Sequence, residues 1–271
     1  MEFLRGYPSI WRGLRSVHAF VKTLGYPIDL LQYYIAKWAG KPYFGPVLIS
    51  RQLWINRAPV MSRLIRDELR ADGHAPPFRI LEIGSWAGGS TLLWGKALQE
   101  SKRKGAIFCI DHWAAAHNSP LPMQRATRKE KILKLFLHNI RSAKLLDMVH
   151  ILKGPSDVFT HLLESDSFDF IYIDGDHGYT QFKDDLTRCM ALVKIGGIIC
   201  GDDLEVQLDE TDRAHVGLSR EKDTIQDPKT KLNLHPGITL AIGEVMGHVS
   251  MREGFWAMRR TPSGWAPVIL G

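Results

Sequence analysis

From Phe78 onward, short apolar runs alternate with longer stretches whose apolar residues recur at helical spacing. RILEIGSW at 79–86, AIFCIDHW at 106–113, VHILKG at 149–154, FDFIYID at 168–174 and GGIICGDDL at 196–204 read as buried strands. Helices are predicted between them. One runs through about Gln99, and one covers Thr127 to Lys144 with Ile132, Leu135, Phe136 and Ile140 on one face. A short one lies in SDVFTHLLE, and another in YTQFKDDLTRCMALV with Phe182, Leu186 and Met190 on a stripe. The segment with Pro120 and Pro122 reads as a loop. Strand, turn and helix repeated in this way predict an α/β fold, a mostly parallel sheet with helices on both faces.

Both flanks depart from that rhythm. Residues 1–46 are rich in aromatic and basic residues and are broken by Pro8, Pro27, Pro42 and Pro46. Ile10, Leu14, Val17, Phe20, Val21 and Leu24 still recur at helical spacing, with Arg12, Arg15, His18 and Lys22 at other positions. Such a helix either lies on an anionic membrane surface or covers the core or a subunit partner, as most amphipathic helices do. Arg51 to Arg70 predicts a further helix, and Pro76 and Pro77 mark the entry to the main domain. The expected organisation is an N-terminal helical extension over 1–75, acting as cap, lid or oligomer contact, followed by one domain over 76–271. Inside that domain Glu205 to Pro236 is charged, aperiodic and too long for a mere connection; such loops are lids, binding loops or disordered segments. The tail returns to order, with a helix in ITLAIGEVMG and a closing pair of strands in HVSM and GFWAMRR.

Composition narrows the class. A chain of 271 residues that is 45% hydrophobic can bury a large core. Its net charge of +6 permits an acidic partner, but both signs are scattered along the second half, without the clustered basic stripe of a nucleic-acid footprint. Cys109, Cys189 and Cys200 have no paired spacing and read as buried thiols in a reducing compartment. No apolar stretch approaches the ~20 residues of a membrane span, and the first residues lack a signal peptide's apolar core. A cytoplasmic protein without nucleic-acid partners is expected.

The strand ends carry the candidate chemistry. EIGSWAGGS at 82–90 forms the first strand-to-helix turn. Its glycines let backbone approach a ligand, and amides at a helix start favour negative charge or lone pairs. Asp111 closes the second strand, placed to accept hydrogen bonds from ribose hydroxyls. The turn lacks the GxGxxG spacing of a phosphate cradle and leads with acidic Glu82, which favours a nucleoside with a cationic amino-acid end. The fourth strand ends in Asp174, Asp176 and His177 around Gly175, the fifth in Asp202 and Asp203. These strands are expected to be neighbours, so Asp174, Asp202 and Asp203 can converge on one hard cation, and three carboxylates with waters suit Mg²⁺. Without a cation they would repel and raise one another's pKa. Alternatively, one of the adjacent aspartates caps the following segment.

Taken together, ExGxxxGxS at 82–90, the acidic end of the second strand, GPSD at 154–157, IYIDGDH at 171–177 and GGIICGDD at 196–203 resemble the class I S-adenosylmethionine-dependent methyltransferases. Within that group they are similar to the DGDH-type O-methyltransferases, which include the macrocin and mycinamicin sugar methyltransferases and the cephalosporin hydroxylase-like proteins. The resemblance covers roughly Phe78 to Asp203. It implies a Rossmann-like, mostly parallel seven-stranded sheet and S-adenosylmethionine as cofactor. Glu82, Gly84, Ser85, Gly88 and Ser90 would surround its methionine part, and Asp111 would hold the ribose. His112 would stack near the adenine or merely fill the strand end. Ser156 and Asp157 would lie beside the adenine; they read equally as a helix N-cap, and both roles can coexist.

The resemblance also places metal ligands at Asp174, Asp202 and Asp203, although Asn often stands at the last position in the relatives. Catechol-type relatives carry a lysine where His177 stands. An imidazole of pKa about 6.5 suits a general base at neutral pH, so His177 is the candidate base, with donation to substrate or orientation of Asp174 as alternatives. Asp176 is expected to cap the helix before Tyr179.

The function these features imply is a Mg²⁺-dependent O-methyltransferase acting on a hydroxyl of a small molecule, a sugar or polyol unit of a natural product or surface glycan. A homo-oligomer and a peripheral membrane contact through the N-terminal helix are the further partners. Two alternatives stand beside it. One is an oxidoreductase or hydroxylase on a nucleotide-binding fold, for which the sequence offers neither GxGxxG nor a His/His/carboxylate triad of obvious spacing. The other is a non-catalytic, cofactor-binding membrane-surface protein.

Overall fold

The computed structural model describes residues 27–50, 57–71, 77–115 and 121–271; the helix predicted over Ile10 to Leu24 lies outside them. The described chain begins with α1 over 27–38 and α2 (Ala58–Ala71). It continues through β1 (Phe78–Ile83), α3 (Gly89–Ser101), β2 (Gly105–Asp111), α4 (Leu121–Thr127), α5 (Lys131–Ser142) and β3 (Val149–Lys153). Next come α6 (Ser156–Leu162), β4 (Phe168–Ile173), α7 (Tyr179–Leu192) and β5 (Val193–Gly201). The last part holds α8 (Arg213–Leu218), β6 (Ile225–Gln226), β7 (Asn233–Leu234), α9 (Pro236–Val245), β8 (Ser250–Arg252), β9 (Phe255–Thr261) and β10 (Gly264–Pro267).

The first five strands pair in parallel in the order β3-β2-β1-β4-β5, and β9 joins β5 antiparallel. The outer edge of β9 is shared: Phe255, Trp256 and Ala257 pair with β8, while Met258 to Thr261 pair with β10. Eight strands therefore fill the seven places expected of a Rossmann-like, mostly parallel sheet. A two-residue turn at Glu253 and Gly254, both at positive φ, closes the β8–β9 hairpin.

Each central strand is buried on both faces, which is why it reads as an unbroken apolar run. Phe170 and Tyr172 face the layer of α2, α3 and α5, where Trp94 lies 5.1 and 5.5 Å from their ring centroids. Ile171 and Ile173 face the other layer, with Phe182, Leu186, Ile238 and Ile242. Leu30, Tyr33 and Ala36 of α1 pack on the first core, yet Ile28, Leu31, Ile35 and Trp38 leave its opposite face apolar and exposed.

Three boundaries differ from expectation for local reasons. The helix expected from Arg51 is described from Ala58, with Pro59 in its first turn. The segment with Pro122 is helical, and left-handed Lys129 and Glu130 separate it from α5, which starts at Lys131 instead of Thr127. Glu205 to Pro236 is ordered and has its own small core of Val206, Leu208, Val216 and Leu234 against Leu240. Its charged residues act as turn devices: Asp212 caps α8 through the amide of His215 at 3.1 Å, and buried Asp227 accepts the amides of Asp212 at 2.9 Å and Thr230 at 2.7 Å. Order held by side-chain-to-backbone bonds leaves no apolar period to read.

Candidate active site

The carboxyl ends of the parallel strands are levelled by one extra hydrogen bond each. The amide of Gly84 donates to Ile110 at 2.9 Å, that of Asp174 to Ile83 at 2.8 Å, and that of Asp202 to Ile173 at 3.3 Å. Strand order reverses between β1 and β4, and open α/β sheets bind ligands in the crevice this creates. Here the ends of β1 and β4 touch. Gly84 has φ 87°, and a Cβ on it would lie 1.8 Å from the carbonyl oxygen of Asp174, so only glycine fits.

On the β1 side, Glu82 is wholly buried; its Oε2 accepts the hydroxyls of Ser85 at 2.8 Å and Thr91, and the thiol of Cys109 at 3.5 Å. Burial raises its pKa, opposed by the hydroxyls of Ser90, Thr91 and Ser85. Glu82 Oε1 and Ser90 Oγ are buried without a well-formed hydrogen bond. Left-handed Gly88 caps α3. Asp111 is fixed by two amides, Trp86 at 2.8 Å and Trp113 at 2.5 Å, and its pKa is raised by burial against their pull. His112 is exposed; the residue that packs is Trp113, whose ring lies 5.0 Å from Phe136.

The expected Ser156 cap is not formed. Pro155 is the N-cap of α6, so Ser156 already lies inside the helix, where its hydroxyl accepts from Gln181 at 3.2 Å and serves Asp185. Asp157 accepts the amide of Val158 at 2.9 Å. Asp176 accepts the amide of Gly178, the N-cap of α7, at 2.7 Å, and so braces that turn from just outside the helix.

On the β4 and β5 side the carboxylates crowd. Asp174, bonded by the Tyr172 hydroxyl at 3.1 Å, has its pKa pushed well up by burial and by Asp202 and Asp203. Burial and Asp203 raise Asp202 to about 6 despite Arg57. Burial pushes the pKa of Asp203, left-handed at φ 62°, upward, but His177, with His235 and Arg57 assisting, holds it at about 2. Arg57 pairs with both Asp202 and Asp203.

His177 sits between two carboxylates, with Nε2 3.2 Å from Asp203 Oδ2 and Nδ1 2.7 Å from Asp223 Oδ1. Burial lowers its pKa, but Asp203 and Asp223 outweigh it and bring it to about 10, favouring the charged ring while both carboxylates face it. The ring of His235 meets it edge-on at 4.5 Å, and His235 Nδ1 lies 2.9 Å from Glu205 Oε1. Sequence reasoning missed Arg57, Glu205, Asp223 and His235. The last three belong to the 205–236 segment, which is stapled to the His177 loop through Tyr179 N to Arg220 O at 3.1 Å and Thr180 Oγ1 to Glu221 at 2.7 Å.

Residues 81–204 match the family model described as a methyltransferase domain. No curated protein matches the sequence significantly. Among solved structures, an O-methyltransferase from Bacillus cereus in complex with SAH is 18% identical, with 86% of this chain and 84% of that one covered at a TM-score of 0.48. The O-methyltransferase TomG from Streptomyces achromogenes, involved in tomaymycin synthesis and in complex with SAM, is 15% identical over 76% of this chain and 80% of that one, also at 0.48. At these values the likeness says nothing of substrate. The stretch that matches a methyltransferase domain thus spans the parallel strands β1, β2, β3, β4 and β5 and the Glu82–Ser90 turn.

Proposed function

We propose that this chain, a class I methyltransferase-domain protein, is an S-adenosylmethionine-dependent O-methyltransferase whose acceptor is a hydroxyl of a small molecule, a sugar or polyol unit. The observation that carries the reading is the rim at the strand-order reversal. Glu82 and Asp111 are fixed on one side of the Gly84–Asp174 contact, and three carboxylates crowd the other.

The residues present fit the cofactor. Glu82 Oε1 and Ser90 Oγ, neither in a well-formed hydrogen bond, leave hydrogen-bonding capacity for a polar ligand end, and each oxygen of Asp111 keeps a lone pair beyond its amide bond. Bound there, S-adenosylmethionine supplies an electrophilic methyl group on a sulfonium. In this reading Glu82, Gly84, Ser85, Gly88 and Ser90 hold the methionine end, Asp111 takes the ribose, and the start of α6 with Ser156 and Asp157 borders the adenine. His112, being exposed, serves at most as an edge of that pocket.

On the acceptor side, Asp174 is the proton acceptor, because its raised pKa moves it toward the range a base needs at neutral pH. The base role expected of His177 requires a neutral ring, whereas its pairing with Asp203 and Asp223 favours the charged one. Donation from His177 is the alternative this pairing supports.

Magnesium on Asp174, Asp202 and Asp203 fits in charge, since the three carboxylates repel one another. It does not fit in donor set, because Arg57 already pairs with Asp202 and Asp203. The exposed face of α1 supports a partner contact at the N-terminal end of the chain.

The test is calorimetry of S-adenosylmethionine with the purified chain, followed by methyl transfer to a panel of sugars and polyols. Binding that Asp111→Ala weakens at least about tenfold, one hydrogen-bonded contact's worth, supports the reading; a wild-type chain that binds no S-adenosylmethionine refutes it.

A further inference from the structure

The rim holds a second donor set that the three-carboxylate expectation does not contain. One ligand atom each from His177, Asp203 and His235 lies within 4.8 Å of the others. The three side chains come from the β4–α7 turn, the end of β5 and the N-cap of α9.

Both imidazoles are already oriented. Nδ1 of His177 is 2.7 Å from Asp223 Oδ1, and Nδ1 of His235 is 2.9 Å from Glu205 Oε1. A carboxylate on Nδ1 holds the proton there, so that a cation taking the place of any Nε2 proton meets Nε2 as the lone-pair nitrogen, the arrangement found behind metal-bound histidines. Glu205 is itself held, by the backbone amide of His235 at 3.1 Å. His177 Nε2 and Asp203 Oδ2 stand 3.2 Å apart, close to the ~3.4 Å edge between two donors about 2.1 Å from a tetrahedral ion.

Asp203 divides its two oxygens. Oδ1 receives Arg57 at 3.2 Å, and Oδ2 faces His177. A cation on Oδ2 therefore does not compete with Arg57, whereas one shared with Asp202 does. Two imidazoles and one carboxylate are the wrong donors for magnesium, which prefers oxygen and water, and the right ones for zinc, iron, nickel or cobalt.

We propose that His177, Asp203 and His235 form a two-histidine, one-carboxylate site for a first-row transition-metal dication, with Asp223 and Glu205 orienting the two rings. As the metal of the methyl-transfer rim the site rests on the function proposed above; as a binding site it stands on these five side chains.

The experiment titrates the full-length, chelator-treated chain with Zn²⁺, Co²⁺ and Mg²⁺ in separate calorimetric runs, and records the visible spectrum of the Co²⁺ form. One equivalent of Zn²⁺ is expected, bound at least 100-fold more tightly than Mg²⁺, with Co²⁺ bands that show nitrogen ligation. His235→Gln should lower Zn²⁺ affinity at least 100-fold. Glu205→Gln, acting through His235, should lower it by about ten- to a hundredfold while the Co²⁺ bands keep their positions. Thermal melts of each variant verify that it is folded, and if His235→Gln is not, Glu205→Gln carries the test. Zn²⁺ bound no more tightly than Mg²⁺, or unaltered Zn²⁺ binding in folded His235→Gln, overturns the site. S-adenosylmethionine titrated into the same samples separates the two proposals. Its binding without histidine-dependent Zn²⁺ removes only the metal site, and Zn²⁺ binding without it removes only the methyl-transfer reading.

Discussion

Arg57 Nη1 stands 3.2 Å from Asp203 Oδ1 and at the same time pairs with Asp202, so one cation from just before α2 neutralises two carboxylates at the end of β5. The pairing raises the pKa of Arg57 and opposes the rise of Asp202 toward about 6. Arg57→Gln leaves Asp202 uncompensated and Asp203 dependent on His177. Breaking one side of a buried pair typically costs about 3–5 kcal/mol; partial exposure of Arg57 and relaxation toward solvent reduce this, and a loss of about 2–3 kcal/mol is expected in urea denaturation with chelator present. Because Asp202 is then free, Mg²⁺ affinity should rise about tenfold while Zn²⁺ affinity changes less, a contrast that paired calorimetric titrations read directly.

Asp185 offers a pH test away from the rim. It lies buried on α7, bonded to Ser156 and Gln181, and burial raises its pKa to about 6. A carboxyl whose folded pKa exceeds its unfolded value of about 3.9 contributes fully below that value, and the contribution is lost as pH rises to the folded one. Above about pH 6 the wild type therefore buries a charge that Asp185→Asn does not. The variant should be more stable at pH 7 by about 2–3 kcal/mol, and the advantage should vanish near pH 4. Denaturation midpoints of the two proteins across pH 4–7 check this; a constant difference would exclude Asp185 as the cause.

Asn139 of α5 ties the segment at Tyr43 to the turn at Ala87. Its Oδ1 accepts the amide of Tyr43 at 2.9 Å, and its Nδ2 donates to the carbonyls of Tyr43 at 3.0 Å and Ala87 at 2.9 Å. Asn139→Leu would strand buried backbone groups on both segments, at a cost of about 1–3 kcal/mol for each group left unpaired. A stability loss of about 2–4 kcal/mol is expected, with faster hydrogen exchange at Tyr43 than in the strands. Equal exchange in both proteins would mean that the segment at Tyr43 is held by its apolar contacts alone.

What the sequence made legible follows from where the information sits. Strands buried on both faces announce themselves as apolar runs, and their polar termini stand out, so the sheet, the first turn and the positions of Asp111, Asp174, Asp202 and Asp203 could all be read. Ser156 was visible as a helix start, but its partner Gln181 is 25 residues away, and Pro155 rather than Ser156 took the cap. His177, Asp203 and His235 have no spacing signature because three separate loops deliver them. His235 precedes Pro236 at a helix start and reads only as a boundary. The 205–236 segment hid its role for the same reason: its order comes from residues such as Asp227 and Asp212, whose hydrogen bonds leave no periodic trace.

Gly237 tests whether that segment sets the metal site. A Cβ there would lie 2.2 Å from the carbonyl oxygen of His177, 2.5 Å from the amide nitrogen of Tyr179 and 2.7 Å from the carbonyl oxygen of Arg220. All three are backbone atoms, so the start of α9 would have to withdraw from the His177 turn, carrying His235 with it. Overpacking of this kind costs about 1–3 kcal/mol, and a displaced ligand should weaken Zn²⁺ binding by about ten- to a hundredfold, as loss of an orienting partner does. Gly217→Ala in α8 is the control, since nothing lies within 4 Å of its Cβ and alanine in a helix is favoured by about 0.5–1 kcal/mol. Calorimetry on both variants should show the loss in Gly237→Ala alone. A Gly237→Ala chain that loses stability but keeps wild-type Zn²⁺ affinity would separate the packing of α9 from the geometry of the site.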